Sequence, residues 1–197
     1  DAHVRREPER VEHALREMRA HLGSLNDISA HLSDAVNDDR AARLPVAMTD
    51  FDMAAAAREA VGMAAEVARR HHVRLDVDAS RLGEGPVHGD RFQLVTAMRN
   101  LLDNACSHGP DGGDALLEVC RDHGEVEVGV RDRGHGLGGL GAEAFEPLRR
   151  GESDADGMGL GLSLVAQVAR AHGGKVVWQS GEGWSRIGLR FPDRSHA

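Results

Sequence analysis

Tyrosine is absent from this sequence, and two tryptophans and four phenylalanines are its only phenyl or indole side chains. A close-packed interior must therefore come from Leu, Val, Ala and Met. Cysteine is almost as scarce: Cys106 and Cys120 stand alone, without C-x-x-C spacing, which excludes a disulfide scaffold or a zinc knuckle. The expectation is a reducing compartment, by default the cytoplasm. No apolar run of about 18 residues occurs and no basic-then-apolar leader opens the chain, so neither a spanning helix nor a signal peptide is expected within it. Positive charge is in deficit as well, since 24 Lys and Arg against 32 Asp and Glu leave a formal −8. Nucleic acid is therefore not an expected partner, and any anionic ligand must be held by local geometry. What is present suits one or two small globular domains: 197 residues, 41% hydrophobic and 28% charged. Most of the 24 glycines fall from Gly109 onward, so the second half needs many close-approach or positive-φ positions.

Between Pro8 and Val36 the apolar residues Val11, Leu15, Met18, Leu22, Leu25, Leu32 and Val36 step by fours and threes, with one gap at Ser29. That is a heptad seam, a helix with one sticky edge that needs a partner helix. A helix lying on its own domain is the blander alternative. The polar run Asn37 to Arg43 reads as a linker. Beyond it, a short strand is expected at Val46–Met48, then an Ala-rich helix capped by Asp50 or Asp52 and ending near His71 and His72. Arg74–Asp78 alternates like a strand, and Asp90–His108 has helical periodicity, with Leu94, Met98, Leu101 and Ala105 on one stripe. Ala115–Cys120 and Glu125–Val130 flank Asp122-His123-Gly124 as a hairpin. A Gly-rich stretch follows to Gly157, then a helix to about Ala171 and a closing hairpin of Lys175–Gln179 and Ser185–Phe191. Interleaved helices and strands with antiparallel pairs late in the chain predict a two-layer α/β sandwich.

Four features carry chemistry. Asn100, Asn104 and His108 recur every four residues and share one helix face; a carboxamide oxygen suits a hard cation such as Mg²⁺, although two solvated amides and a surface histidine would read the same. Asp132-Arg133-Gly134-His135-Gly136-Leu137 follows a hydrophobic strand, where a carboxylate can accept from an exocyclic amine while glycines admit a flat ring. Gly157-Met158-Gly159-Leu160-Gly161-Leu162 opens a helix, whose free N–H groups attract phosphate. No βαβ unit surrounds it and no Lys-Ser/Thr follows, unlike a dinucleotide fingerprint or a P-loop. Phe145-Glu146-Pro147-Leu148-Arg149-Arg150-Gly151 sets an apolar anchor and two cations in a Gly-rich loop, either a lid over phosphates or an ordinary surface loop. The stretch from about Leu137 to Asp156 is expected to be mobile without ligand, with Phe145 as its pin.

In this order and spacing the four features resemble the N, G1, F and G2 boxes of the ATP-binding domain of sensor histidine kinases. These belong to the Bergerat-fold superfamily shared with DNA gyrase B, the MutL repair proteins and the large heat-shock chaperone. The resemblance covers roughly residues 45–192, including the turn Ala171–Val176 and the hairpin Gly181–Phe191. It implies a mixed sheet with three main helices, and ATP with Mg²⁺ as ligands. By resemblance, Asn104 ligates Mg²⁺ and Asn100 and His108 help hold metal and phosphates, making these three the catalytic set. Asp132 would read the adenine amine, Arg149 would face the phosphates, and Gly134, Gly136, Gly157, Gly159 and Gly161 would shape pocket and lid. Leu137, Leu160 and Leu162 would line the adenine slot or its rim.

Residues 1–40 resemble the second helix of the family's dimerisation and phosphotransfer hairpin, which implies homodimerisation in the full-length protein and a response regulator as partner. The phospho-accepting box departs from the pattern. His3-Val4-Arg5-Arg6-Glu7-Pro8 keeps His, Arg and Pro but lacks the acid beside the histidine, and only one helix fits before the linker. The acceptor helix is therefore expected outside this chain, as is any sensor segment or membrane anchor. Two other readings compete: an anti-sigma-type serine kinase, which normally has an acid at the first N-box position and no dimerisation helix, so that Asn100 and the heptad argue against it, and a scaffold of the same fold that has lost the nucleotide. Asn100 also argues against a gyrase-type ATPase, where a glutamate there activates water.

Overall fold

The computed structural model describes residues 47–134, 136–137, 140–146 and 161–195, all within a compact unit spanning Pro45–Ala197. The heptad seam and His3 lie outside the described residues.

Two capped helices set the frame. Helix α1 (Met53–Arg70) starts where the Asp52 carboxylate accepts from the Ala55 amide at 2.9 Å. It buries Met53, Ala56, Ala57, Ala60, Ala64 and Ala68, a stripe at helical spacing whose small side chains let the helix pack closely. Helix α2 (Arg91–His108) starts at Asp90, whose Oδ1 accepts from the Gln93 amide at 3.0 Å. Helix α3 (Gly161–Ala171) buries Ser163, Val165, Ala166, Val168 and Ala169. It packs on α2 and on the last two strands, while α1 packs on α2 and β2.

The strands are β1 (Thr49–Phe51), β2 (Arg74–Arg81), β3 (Val87–Gly89), β4 (Asp114–Asp122), β5 (Glu125–Asp132), β6 (Lys175–Gly181) and β7 (Trp184–Pro192). The main sheet runs β2-β4-β5-β7-β6, with β2 parallel to β4 and the other pairs antiparallel. Alternation sends Ala115, Leu117 and Val119, Val126, Val128 and Val130, and Ile187, Leu189 and Phe191 into the core on the helix side. The opposite face carries charge. There Arg186 pairs with both Glu118 and Glu127, and Arg190 with Glu127. Gly129 makes room for this network, since a Cβ there would lie 2.9 Å from the Arg186 guanidinium carbon. At the far end Arg121 donates to the carbonyls of Glu84 (2.8 Å) and Pro86 (2.7 Å) and pairs with Asp193 at 2.6 Å, clasping a loop to the segment after β7.

The two-layer sandwich is as expected, and most elements fall where the pattern put them. The first strand lies at Thr49–Phe51 rather than at Val46–Met48, because its register is set by β3, a partner that sequence pattern did not announce. Among the described residues no helix is long and apolar enough to cross a membrane.

Candidate functional site

The C-terminal end of β5 supplies the floor. Asp132, the last residue of that strand, is 8% exposed, and its Oδ1 accepts from the Ser185 hydroxyl (2.8 Å) and the Gly134 amide (2.6 Å). Ser185 sits directly opposite on β7. Two donors on one oxygen fix the carboxylate's orientation. Its second oxygen makes no hydrogen bond among the described residues. The glycines after it act by closeness: a Cβ at Gly134 would fall 2.8 Å from Asp132 Oδ1 and 3.3 Å from the His108 carbonyl oxygen. Gly136 turns with φ +67° over Ser185 and Ser180, and Leu137 returns to pack on the core.

One face of α2 supplies the wall. Asn100, Asn104 and His108 lie one above another on it. The Asn100 amide nitrogen donates to the Thr96 carbonyl at 2.9 Å, which orients its Oδ1 toward the start of α3: a Cβ at Gly161 would stand 3.2 Å from that oxygen. Asn104 is half-buried, and among the described residues its carboxamide makes no hydrogen bond. His108 closes the row at the last helical residue. Partial burial of its ring pulls it below the ordinary histidine value, against the pull of the Asp132 carboxylate. The row is thus bracketed by Gly161 at one end and by Gly134 at the other. Gly161, the first described residue of α3, stands at the Asn100 end of the wall.

The remaining expectations divide cleanly. Leu162 is half-buried against the core. Phe145 ends a 3-10 turn (Gly141–Phe145), is 8% exposed, and packs its ring 5.5 Å from that of Trp178 on β6. Arg149, Gly157, Gly159 and Leu160 lie outside the described residues, as does most of the Leu137–Asp156 stretch. Ser185 is the site residue that sequence reasoning missed. Its signal was positional: it is the first inward-facing residue of the last strand, where hairpin register meets the end of β5. A concavity of about 380 Å³ on the charged face of the sheet is lined by Glu118, Glu127, Arg186 and Arg190. Those four groups already pair with one another.

An oriented carboxylate at the floor and carboxamide oxygens on the wall suit a ligand with an amine-bearing ring and an anionic tail bridged by a hard cation. Similarity to known proteins points the same way. The mycobacterial sensor histidine kinase MprB superposes with a TM-score of 0.62 at 27% identity, covering 75% of this chain and 99% of that one. ShkA in complex with AMPPNP gives 0.70 at 24% identity, covering 92% of this chain and 40% of that one, and shares the fold. The family described as histidine kinase-, DNA gyrase B- and HSP90-like ATPases matches residues 89–195. The chain belongs to that family. The sensor-like histidine kinase SenX3 of Mycobacterium tuberculosis is 34% identical over 175 residues, 85% of this chain and 42% of SenX3. The chain thus spans less than half the length of that relative.

Proposed function

We propose that this chain is the ATP-binding catalytic portion of a two-component sensor histidine kinase. The γ-phosphoryl group of ATP goes to a histidine imidazole on a helix outside the described residues, and from there to a response regulator. The observation that carries this reading is the Asp132–Ser185 pair at the floor facing the Asn100, Asn104 and His108 row on the wall. Residues 1–40 belong to the dimerisation hairpin in this reading, residues 45–192 to the ATP-binding domain, and the protein works as a homodimer in the cytoplasm.

Mg²⁺ fits the donor set. Among the described residues no three His, Cys, Asp or Glu side chains converge, so a cation would take the hard carboxamide oxygen of Asn104 and fill its other positions with phosphate oxygens and water. When bound, Mg²⁺ neutralises charge on the phosphates. Asp132 accepts from the adenine amine and would repel the carbonyl that guanine places there. Asn100 holds its oxygen toward the start of α3, and the amides there bind phosphate. His108 lies on the same face and adds a neutral hydrogen-bonding ring. The chemistry is positioning and charge neutralisation, as phosphoryl transfer requires.

Titration calorimetry with ADP or ATP, with and without Mg²⁺, tests the reading. Asn104→Ala should weaken the Mg²⁺-dependent part of binding and leave the metal-free part unchanged. Unchanged affinity in Mg²⁺ would remove Asn104 from the site. Without an acceptor helix, the isolated chain should yield little or no acid-labile phosphohistidine from γ-labelled ATP; stoichiometric label on His3 would overturn that expectation.

A further inference from the structure

A second buried polar centre lies away from the site, where α2 begins and α3 ends. His172, one residue beyond α3, is 4% exposed. Its Nδ1 is 2.8 Å from the Val168 carbonyl oxygen, and its Nε2 accepts from the Asp90 backbone amide at 3.0 Å. A carbonyl can only accept and an amide can only donate, so these partners require a neutral ring with its proton on Nδ1. The fit around the ring is close. A Cβ at Gly89 would stand 3.2 Å from its Cδ2, and the Phe191 ring lies 5.3 Å away.

Asp90 is itself fully engaged. While its amide donates to His172, its Oδ1 caps α2 through Gln93, and its Oδ2 accepts from the Ala47 amide at 3.0 Å, where the chain enters the domain. Helices α2 and α3 therefore meet at two points. At one, Gly161 lies close against the Asn100 carboxamide without a hydrogen bond between them among the described residues; at the other, the far end of α3, a hydrogen bond joins His172 to Asp90. Close packing alone permits small slides of one helix along another, whereas a directional hydrogen bond at the far end selects one register.

We infer that Asp90 and His172 are positioning residues for the nucleotide site: their hydrogen bond sets the register of α3 along α2, and so the approach of the α3 N-terminus to Asn100 and Asn104. The inference rests on the nucleotide reading of that site. It has a chemical signature. Protonation of Nε2 turns the acceptor into a donor aimed at another donor, and the tie opens. Burial holds His172 below the ordinary histidine value, while the Val168 carbonyl and the Asp90 carboxylate pull the other way. The charged groups facing it are Asp90, from the α2 cap, and Arg194, whose guanidinium reaches 3.5 Å from a Cβ at the neighbouring Gly173. Val168 on α3 presents a carbonyl and Phe191 on β7 an uncharged ring.

His172→Gln offers an amide oxygen near the Nε2 position, an acceptor that does not titrate. His172→Leu keeps volume and removes the acceptor. Binding of Mg·ADP by wild type and both variants is measured by calorimetry from about pH 8 to about pH 5.5, across the histidine range. At the upper end wild type and His172→Gln should bind alike and His172→Leu about five-fold more weakly, within the range of ordinary coupling between sites. On acidification the ratio of wild-type Kd to His172→Gln Kd should rise about five-fold, because only wild type loses its acceptor. Taking the ratio cancels titration of the nucleotide and of His108. A flat ratio overturns the inference, whatever His172→Leu does, and should that variant fail to fold by circular dichroism the His172→Gln ratio still decides. If wild type binds no adenine nucleotide at any pH, the functional reading itself falls; a flat ratio beside normal wild-type binding sinks the positioning role alone.

Discussion

Asp132 accepts two hydrogen bonds on one oxygen, and both come from groups that can only improve its alignment. Replacing it by Asn introduces an NH₂ that must face one of these donors or the ligand's amine. Asp132→Asn is therefore expected to cost about 1–3 kcal/mol of ATP binding, the range for a disrupted buried hydrogen bond, as calorimetry would read it. Asp103 presents the opposite case. Its Oδ1 is buried without a hydrogen-bond partner, and burial raises its pKa despite the opposing Arg99 guanidinium 3.3 Å from the other oxygen. A carboxyl raised in this way prefers its neutral form, so at neutral pH its charge works against folding. Asp103→Asn should leave the melting temperature unchanged or raise it, and a clear fall would show that the Arg99 pair outweighs desolvation. Sequence made Asn100, Asn104 and Asp132 legible because helical period and a strand end are local facts. The partnership of Asp132 with Ser185 spans 53 residues and depends on which strands pair, which no local pattern states.

At the scale of elements, the glycines separate by what surrounds them. A Cβ at Gly188 on β7 would meet the Val128 carbonyl oxygen at 2.2 Å and Gly129 Cα at 2.7 Å, both backbone of the neighbouring strand. Gly188→Ala must therefore push β7 from β5, and a loss of about 2 kcal/mol or more is expected in denaturant unfolding, as for other overpacked positions. Gly62 is the control. It lies within α1 with nothing within 4 Å of a Cβ, so Gly62→Ala should stabilise by about 0.5–1 kcal/mol through helix propensity alone. Helices and long hairpins could be read from the sequence because period and turn residues agreed on them: Asp52, one of the two expected caps, does cap α1, α2 begins beside Asp90 as its period suggests, and His123-Gly124 turns with φ of 49° and 77°. The β1–β3 pair could not, since three-residue strands carry too little alternation to register.

For the molecule as a whole, acid should act in two stages. The first involves His172 and His108, whose pKa values in the fold lie below the ordinary 6.5; the unfolded chain then binds more protons, so stability is complete above that value and falls as pH drops beneath it. The second involves Glu127. Burial disfavours its charge, but Arg190 and Arg186 outweigh that and hold it below the ordinary 4.5, so its contribution is lost only as pH falls under that value. Thermal unfolding from pH 8 downward should show the two declines, and His172→Gln should shrink the first to the part that His108 contributes while sparing the second. The sheet order β2-β4-β5-β7-β6 also has a consequence for synthesis. Its next-to-last position is taken by the final strand of the chain's order, and Ser185, which orients Asp132, rides on that strand. A chain emerging from the ribosome can make α1, α2 and the β4–β5 hairpin, but β6 has no neighbour and Asp132 no hydroxyl until β7 arrives. Nascent chains should therefore lack the completed Asp132–Ser185 floor until translation has passed β7.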